Sequence, residues 1–230
     1  MEPVKPEHVS AVAAAVLQTL SESGLGNRLS LRGAFGLLHF VNHRETHDID
    51  AWWEPSTSGA EREAVLRAVE TALAQYGETR RRSWGDVVSI DLMENEQTVF
   101  NFQVAERSAR LELPLQSPWP SVNLDSVTDL VASKMVALVE RGAPRDFVDI
   151  RAVCLAGLVK PAQSWDFWKK RQERGGSDTD FNRARLAVET HLQRIEGHRP
   201  LGGIDSAERR SEATEARRWF REEFLDAIPD

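Results

Sequence analysis

Residues Leu31–Trp53 read LRGAFGLLHFVNHRETHDIDAWW. They spell a strand end, a small-residue turn, a short amphipathic helix and a second strand carrying Asp48 and Asp50. Side chains alternate along a strand, so two acids at i and i+2 share a face, their Cα atoms about 6.5 Å apart. Carboxylates so placed suit hard divalent cations, Mg²⁺ or Mn²⁺. Such a site fits in-line displacement at phosphorus, where attacking and leaving oxygens both need stabilising. Gly33-Ala34-Phe35-Gly36 makes a tight turn whose backbone N–H groups can approach a phosphate, with a helix N-terminus behind it. Thr46 adds a hydroxyl two residues before Asp48. Asp48 and Asp50 are thus the candidate metal ligands, and Gly33, Ala34 and Thr46 the candidate nucleotide contacts.

Working outward, Pro6–Glu22 carries a helical stripe of Val9, Val12, Val16, Leu17 and Leu20 that ends at Gly24-Leu-Gly26. Arg28–Arg32 alternates as a strand leading into Gly33. Pro55–Gly59 is a loop, and Glu61–Tyr76 an amphipathic helix with Val65, Leu66, Val69 and Leu73 inward. Asp86–Met93, Val99–Val104 and Arg110–Leu115 read as strands, the first two joined by the turn Glu94-Asn-Glu-Gln97. Pro114, Pro118 and Pro120 mark a change of region. Beyond it the pattern is helical: Asp125–Arg141 with an acid N-cap and Gly142 at its end, then Pro144–Ala156, Ser164–Glu173, Phe181–Glu196 and Ser206–Ala227. The expected class is α/β (α+β), a mixed sheet with flanking helices (residues 1–120) followed by an all-helical region (residues 121–230).

At 230 residues, 41% apolar and 28% charged, the chain has the composition of a globular protein with an ample core. Its net charge of −7 argues against a coat-like nucleic-acid binder. A local basic patch remains open at Arg80–Arg82 with Arg107 and Arg110; the plain alternative is solvated strand ends. Cys154 is the single cysteine, which excludes an internal disulfide, and its apolar neighbours suggest a buried thiol. No targeting segment or membrane span is legible, so a reducing cytoplasm is the expected compartment. His39, His43 and His47 are spaced by four, but the glutamate of a His-Glu-x-x-His motif is missing, and surface or partly buried histidines are expected. Trp52 shares strand parity with Asp50 and either borders a nucleotide base or packs under a helix. Trp165, Phe167 and Trp168 read as helical core.

Gly33-Ala34, thirteen intervening residues and Asp48-Ile49-Asp50 resemble the turn-and-acid pattern of polymerase-β-type nucleotidyltransferases. Asp129-Leu-Val-Ala-Ser-Lys134 followed by Arg141-Gly-Ala-Pro-Arg145-Asp146-Phe-Val-Asp149 resembles the Lys…Arg…Arg-Asp-x-x-Asp region of the AbiEii/AbiGii nucleotidyltransferase family, which includes the MenT-like toxins. The likeness runs from Leu31 to Leu158. It implies transfer of a nucleoside monophosphate from an NTP to an acceptor, a tRNA 3′ end first among them, with growth arrest as the consequence and a cognate antitoxin as partner. It also implies that Lys134 contacts phosphates, with Arg141 beside it, and that an acid of the second motif, Asp146 or Asp149, assists catalysis. Asp146 would orient Lys134 or serve as base. Where the family usually has Gly-Gly-Thr, this chain has Gly33-Ala34-Phe35, which lacks a hydroxyl. A third metal-binding acid is left between Asp91 and Glu112. Two other functions stay open: a catalytically degenerate nucleotide- or partner-binding protein, and a transferase or kinase acting on a protein.

Overall fold

The computed structural model describes residues 2–229, and the chain divides into two units, Met1–Leu130 and Val131–Asp230. The first holds α1 (Ala11–Glu22), β1 (Leu29–Arg32), α2 (Gly33–Leu37), β2 (Ile49–Trp53), α3 (Gly59–Ala74), β3 (Glu78–Trp84), β4 (Val87–Glu94), β5 (Gln97–Ala105), β6 (Leu115–Gln116) and β7 (Asn123–Leu124). The boundary falls inside α4 (Val127–Glu140), and the second unit continues with α5 (Pro144–Leu155), α6 (Pro161–Gly175), α7 (Phe181–His198) and α8 (Ala207–Trp219).

The seven strands form one mixed sheet in the order β3-β4-β5-β2-β1-β7-β6. β2 pairs antiparallel with β1 and parallel with β5, so the strand carrying Asp50 sits centrally. Alternation divides the sheet's residues cleanly. Leu29, Leu31, Ile49, Ala51, Trp53, Ile90, Leu92, Phe100, Phe102 and Val104 are buried in one core with Val16, Leu17 and Leu20 of α1 and Val65, Val69 and Leu73 of α3. The opposite parity is mostly polar, with Ser30 and Arg32, Asp50, Gln103 and Asn101, Ser89 and Asp91, Arg82 and Arg80, and it turns apolar at Trp52, Ala105 and Val87. Asn95 and Glu96 both take positive φ between β4 and β5, the geometry of a type I′ hairpin turn, as the Glu94–Gln97 spacing predicts.

Several expectations are corrected. α1 starts at Ala11 rather than Pro6, because the Ser10 hydroxyl accepts from the Ala13 N–H and caps it there. α2 is only Gly33–Leu37, and residues 41–48 carry no regular structure. Arg110–Leu115 does not form the expected strand. The N–H groups of Leu111 and Glu112 donate to the Asp129 carboxylate instead of to a ladder, and only Leu115–Gln116 pairs, with β7. Asp125 is not the cap of α4: the Ser126 hydroxyl accepts from the Asp129 N–H. β3, unread in the sequence, is an edge strand with no apolar alternation to betray it. α8 ends at Trp219 in a wider turn, Phe220–Phe224.

In the second unit Trp165 is fully buried and donates its Nε1–H to the Phe224 carbonyl at 3.0 Å. Trp168, Phe181, Trp219 and Phe220 surround this pair, and the indoles are core as expected. Gly142 takes φ +51 after α4, and a Cβ there would stand 2.2 Å from the His191 ring, whose Nε2 donates to the Val139 carbonyl at 3.1 Å. Glycine at that helix end is therefore required twice, by backbone and by space. The Cys154 thiol is pushed by burial up to about 11, so at neutral pH it is protonated and inert, as its neighbours suggest.

His39 is more deeply buried than the surface or partly buried position expected. It is fully buried, stacked edge-on against Phe35 and Trp119, and donates Nδ1–H to the Phe35 carbonyl at 3.0 Å. Burial lowers its pKa to about 4. The unfolded chain takes up this proton near the ordinary value of about 6.5, while the folded chain resists until about 4. In that window the unfolded state holds more protons, so stability falls as pH falls. Denaturant titrations from pH 7 to 4 should show a loss of about 3 kcal/mol that is absent in His39→Gln.

Candidate functional site

The β1–α2 turn is built around Gly33. Its φ of +70 is left-handed, a region side-chain-bearing residues enter at a cost. The space where its side chain would stand is filled: a Cβ at position 33 would lie 2.4 Å from Asp50 Oδ2. Register puts Arg32 opposite Asp50, with guanidinium and carboxylate 3.9 Å apart. The same guanidinium lies 3.8 Å from the centre of the Trp52 ring and donates Nε–H to the Ala51 carbonyl at 3.4 Å. The Trp52 ring is thus stacked against an arginine. Asp50 remains about a third exposed.

Asp48 is exposed and stands just before β2. Its N–H donates to the Thr46 hydroxyl at 3.4 Å, a local turn that ties the two residues together. The Ala34 and Phe35 side chains are buried, Phe35 within the core. Glu112 is exposed in a loop and accepts from the Thr128 hydroxyl at 2.9 Å, so it is not the strand acid expected. Asp91 is a strand acid on the Asp50 face, but β5 intervenes between β4 and β2, and the residue registered beside Asp50 is Gln103.

A buried polar network, not read from the sequence, lies beside Trp52. Asp125 accepts from the Ser30 hydroxyl at 2.6 Å and pairs with Arg107, which also reaches Asp129 at 3.7 Å and the Trp52 ring at 5.8 Å. Burial raises the Asp125 pKa against the opposing pull of Arg107 and Ser30. Arg110 pairs with Glu54. Of the arginines considered as one basic patch, Arg107 and Arg110 are therefore engaged within the fold.

In the second unit the Lys134 ammonium, nearly buried, lies 2.6 Å from Asp149 Oδ2 and 4.0 Å from Asp146 Oδ1. Asp146 is occupied elsewhere. Both its oxygens accept from Arg141 at 2.9 Å, and Oδ2 also takes the Ala143 N–H at 3.2 Å at the start of α5. Asp149 therefore holds the lysine, where the sequence favoured Asp146. Asp146 joins the end of one helix to the start of the next. The spacing signal was present in the sequence, since Asp149 lies one helical turn beyond Asp146.

The donor chemistry suits a divalent ion. Asp48 and Asp50 offer hard carboxylate oxygens, and Asp50 is seated in the cradle left by Gly33. Mg²⁺ commonly takes only one or two carboxylates, completing its shell with substrate phosphates and water. Gly33→Ala should lower stability by about 2 kcal/mol and abolish the site's activity, because left-handed strain adds to displacement of Asp50; thermal melts and turnover check both effects.

Two solved structures resemble the chain. The chain aligns with a proposed nucleotidyltransferase from Helicobacter pylori at a TM-score of 0.53 and 14% identity, covering 95% of this chain and 96% of that one. JHP933 from Helicobacter pylori aligns at a TM-score of 0.47 and 16% identity, covering 89% and 94%. No curated protein matches. A family model described as the nucleotidyl transferase AbiEii toxin of type IV toxin–antitoxin systems matches residues 15–229, nearly the whole chain. With that match, and the turn and acid motifs found in their expected order, the chain belongs to the AbiEii nucleotidyltransferase toxin family.

Proposed function

We propose that this nucleotidyltransferase moves a nucleoside monophosphate from an NTP to the 3′ end of an RNA, a tRNA foremost, in a reaction dependent on Mg²⁺ or Mn²⁺. The observation that supports it most is the seating of the Asp50 carboxylate against Gly33 on the polar face of the sheet. In this reading an acceptor hydroxyl attacks the α-phosphorus, the bond to the β-phosphate oxygen breaks, and pyrophosphate leaves. Asp48 and Asp50 would hold the metal, whose charge would offset that growing on the leaving group. Gly33 lets backbone approach the phosphates. The Thr46 hydroxyl orders the Asp48 turn. Lys134 neutralises phosphate charge, with Asp149 restraining its ammonium. Asp146 acts as a positioning residue, aligning Arg141 and the start of α5.

As a family toxin the protein has an antitoxin as its implied partner. No helix among the described residues is long and apolar enough to cross a membrane, and we place the reaction in the cytoplasm, where NTPs and tRNA are abundant.

Incubation with α-labelled NTPs, Mg²⁺ and total RNA tests the proposal. Label on the tRNA fraction, lost on chelation, is the expected result. Label on protein would move the acceptor to a polypeptide. Nucleotide binding without transfer would mark a degenerate member, consistent with a buried Phe35 where the family has a hydroxyl.

A further inference from the structure

The arginines of β3 divide by parity. Arg81 points toward α3, where its guanidinium pairs with both oxygens of Glu63 at 3.0 and 2.9 Å. Arg80 and Arg82 lie on the other side, the one that carries Asp50, and both reach a single buried carboxylate. Asp91 Oδ2 is 2.5 Å from Arg82 Nη2 and 3.8 Å from Arg80 Nη2. Its Oδ1 accepts from the Asn101 amide at 2.6 Å and the Ser89 hydroxyl at 3.1 Å. Asp91 is fully buried, whereas each arginine side chain is about half exposed. One carboxylate therefore anchors two guanidiniums, leaving a net positive charge on the surface of an acidic protein.

Trp84 continues the same parity along β3 and is 50% exposed. Large exposed aromatics beside fixed guanidiniums are the elements of a single-stranded nucleic-acid surface: phosphates meet the cations and bases stack on the ring. Register ties this strip to the candidate site. Arg82 lies opposite Ser89, Ser89 opposite Gln103, and Gln103 opposite Asp50, a row running straight across the strands. Three strand steps separate Arg82 from Asp50, about 14 Å at ordinary inter-strand spacing. A few nucleotides of extended strand bridge that gap.

We propose that Arg80, Arg82 and Trp84 bind the single-stranded 3′ segment of the acceptor RNA, a few nucleotides behind its terminal hydroxyl. Gln103 and Asn101 line the path between them and Asp50. This rests on the RNA-acceptor reading above. RNA is favoured over an acidic peptide because the two cations are held at fixed positions beside a stacking ring.

The test measures binding of a short fluorescent ribo-oligonucleotide to the full chain by anisotropy across a salt series, alongside KM and kcat for transfer to RNA. Removing both arginines alone would leave Asp91 buried without its cations, so the variant is Arg80→Ala/Arg82→Ala/Asp91→Asn, with Trp84→Ala made separately and Arg81→Ala as control. The triple variant should bind about tenfold more weakly, with the slope of log K against log salt shallower by about 1.4, as two lost phosphate contacts on a single strand require. Its KM for RNA should rise while KM for NTP holds, and Arg81→Ala should behave as wild type. RNA affinity, salt slope and RNA KM unchanged in a folded triple variant would overturn the inference and assign the strip to another occupant, such as a partner's β-strand on this open edge. If wild type neither binds nor labels RNA, the acceptor reading itself fails, and this inference with it.

Discussion

Asp50→Ala should lower nucleotide transfer by about a thousandfold or more while leaving the fold intact. A thousandfold corresponds to about 4 kcal/mol of transition-state stabilisation, the scale on which a metal clamp at a phosphoryl centre operates. The structural cost should stay within about 1 kcal/mol, because Asp50 is partly exposed and its pairing with Arg32 at 3.9 Å is loose. Label incorporation into RNA measures the first effect, and thermal melting with far-UV circular dichroism the second. Full turnover by a folded Asp50→Ala protein would remove the acid from the chemistry. The contrast with Gly33→Ala is informative: that change should cost both activity and stability, since it strains the turn as well as displacing the carboxylate.

Asp149→Ala should produce the larger loss of stability, about 3–5 kcal/mol, the usual cost of removing one partner from a buried ion pair. Lys134 would keep its charge in a nearly buried position, and Asp146, its neighbour at 4.0 Å, is already taken by Arg141 and the Ala143 N–H. For a chain of this size the melting temperature should drop by roughly 6–20 °C. Structure and chemistry are separated by Lys134→Met/Asp149→Leu, which replaces both charges with apolar groups of similar volume. Stability should return to within about 2 kcal/mol of wild type, because a buried pair adds little over well-packed hydrocarbon. Transfer should nonetheless be lost, because the double variant has no ammonium at position 134. A stable double variant with normal turnover would reduce the pair to a structural device.

Both motifs are legible in the sequence because each depends on local spacing. Asp48 and Asp50 are two apart where the spacing predicts one strand, although β2 begins only at Ile49 and leaves Asp48 outside it, and Asp146 and Asp149 are three apart on a helix. Gly33 is legible as part of a small-residue turn, while its left-handed φ of +70 is visible only in the structure. Most helix bounds of the second unit are legible to within three residues, because apolar spacing, proline starts and glycine ends are local signals; the last helix, expected through Ala227, ends at Trp219. β3 was missed because an exposed edge strand rich in arginine carries no hydrophobic alternation.

Short-range pattern suffices to read the fold class and the family, and to nominate Asp48, Asp50, Asp146 and Asp149 as candidates. Only the tertiary structure decided which partner each polar group takes. Ser30 meets Asp125 across 95 residues of chain, Arg81 turns to Glu63 while its two neighbours turn to Asp91, and Lys134 is held by Asp149 in preference to Asp146. Those choices depend on strand register, on the phase of one helix against the next, and on which buried groups are left needing a hydrogen bond. Spacing within a segment encodes none of them.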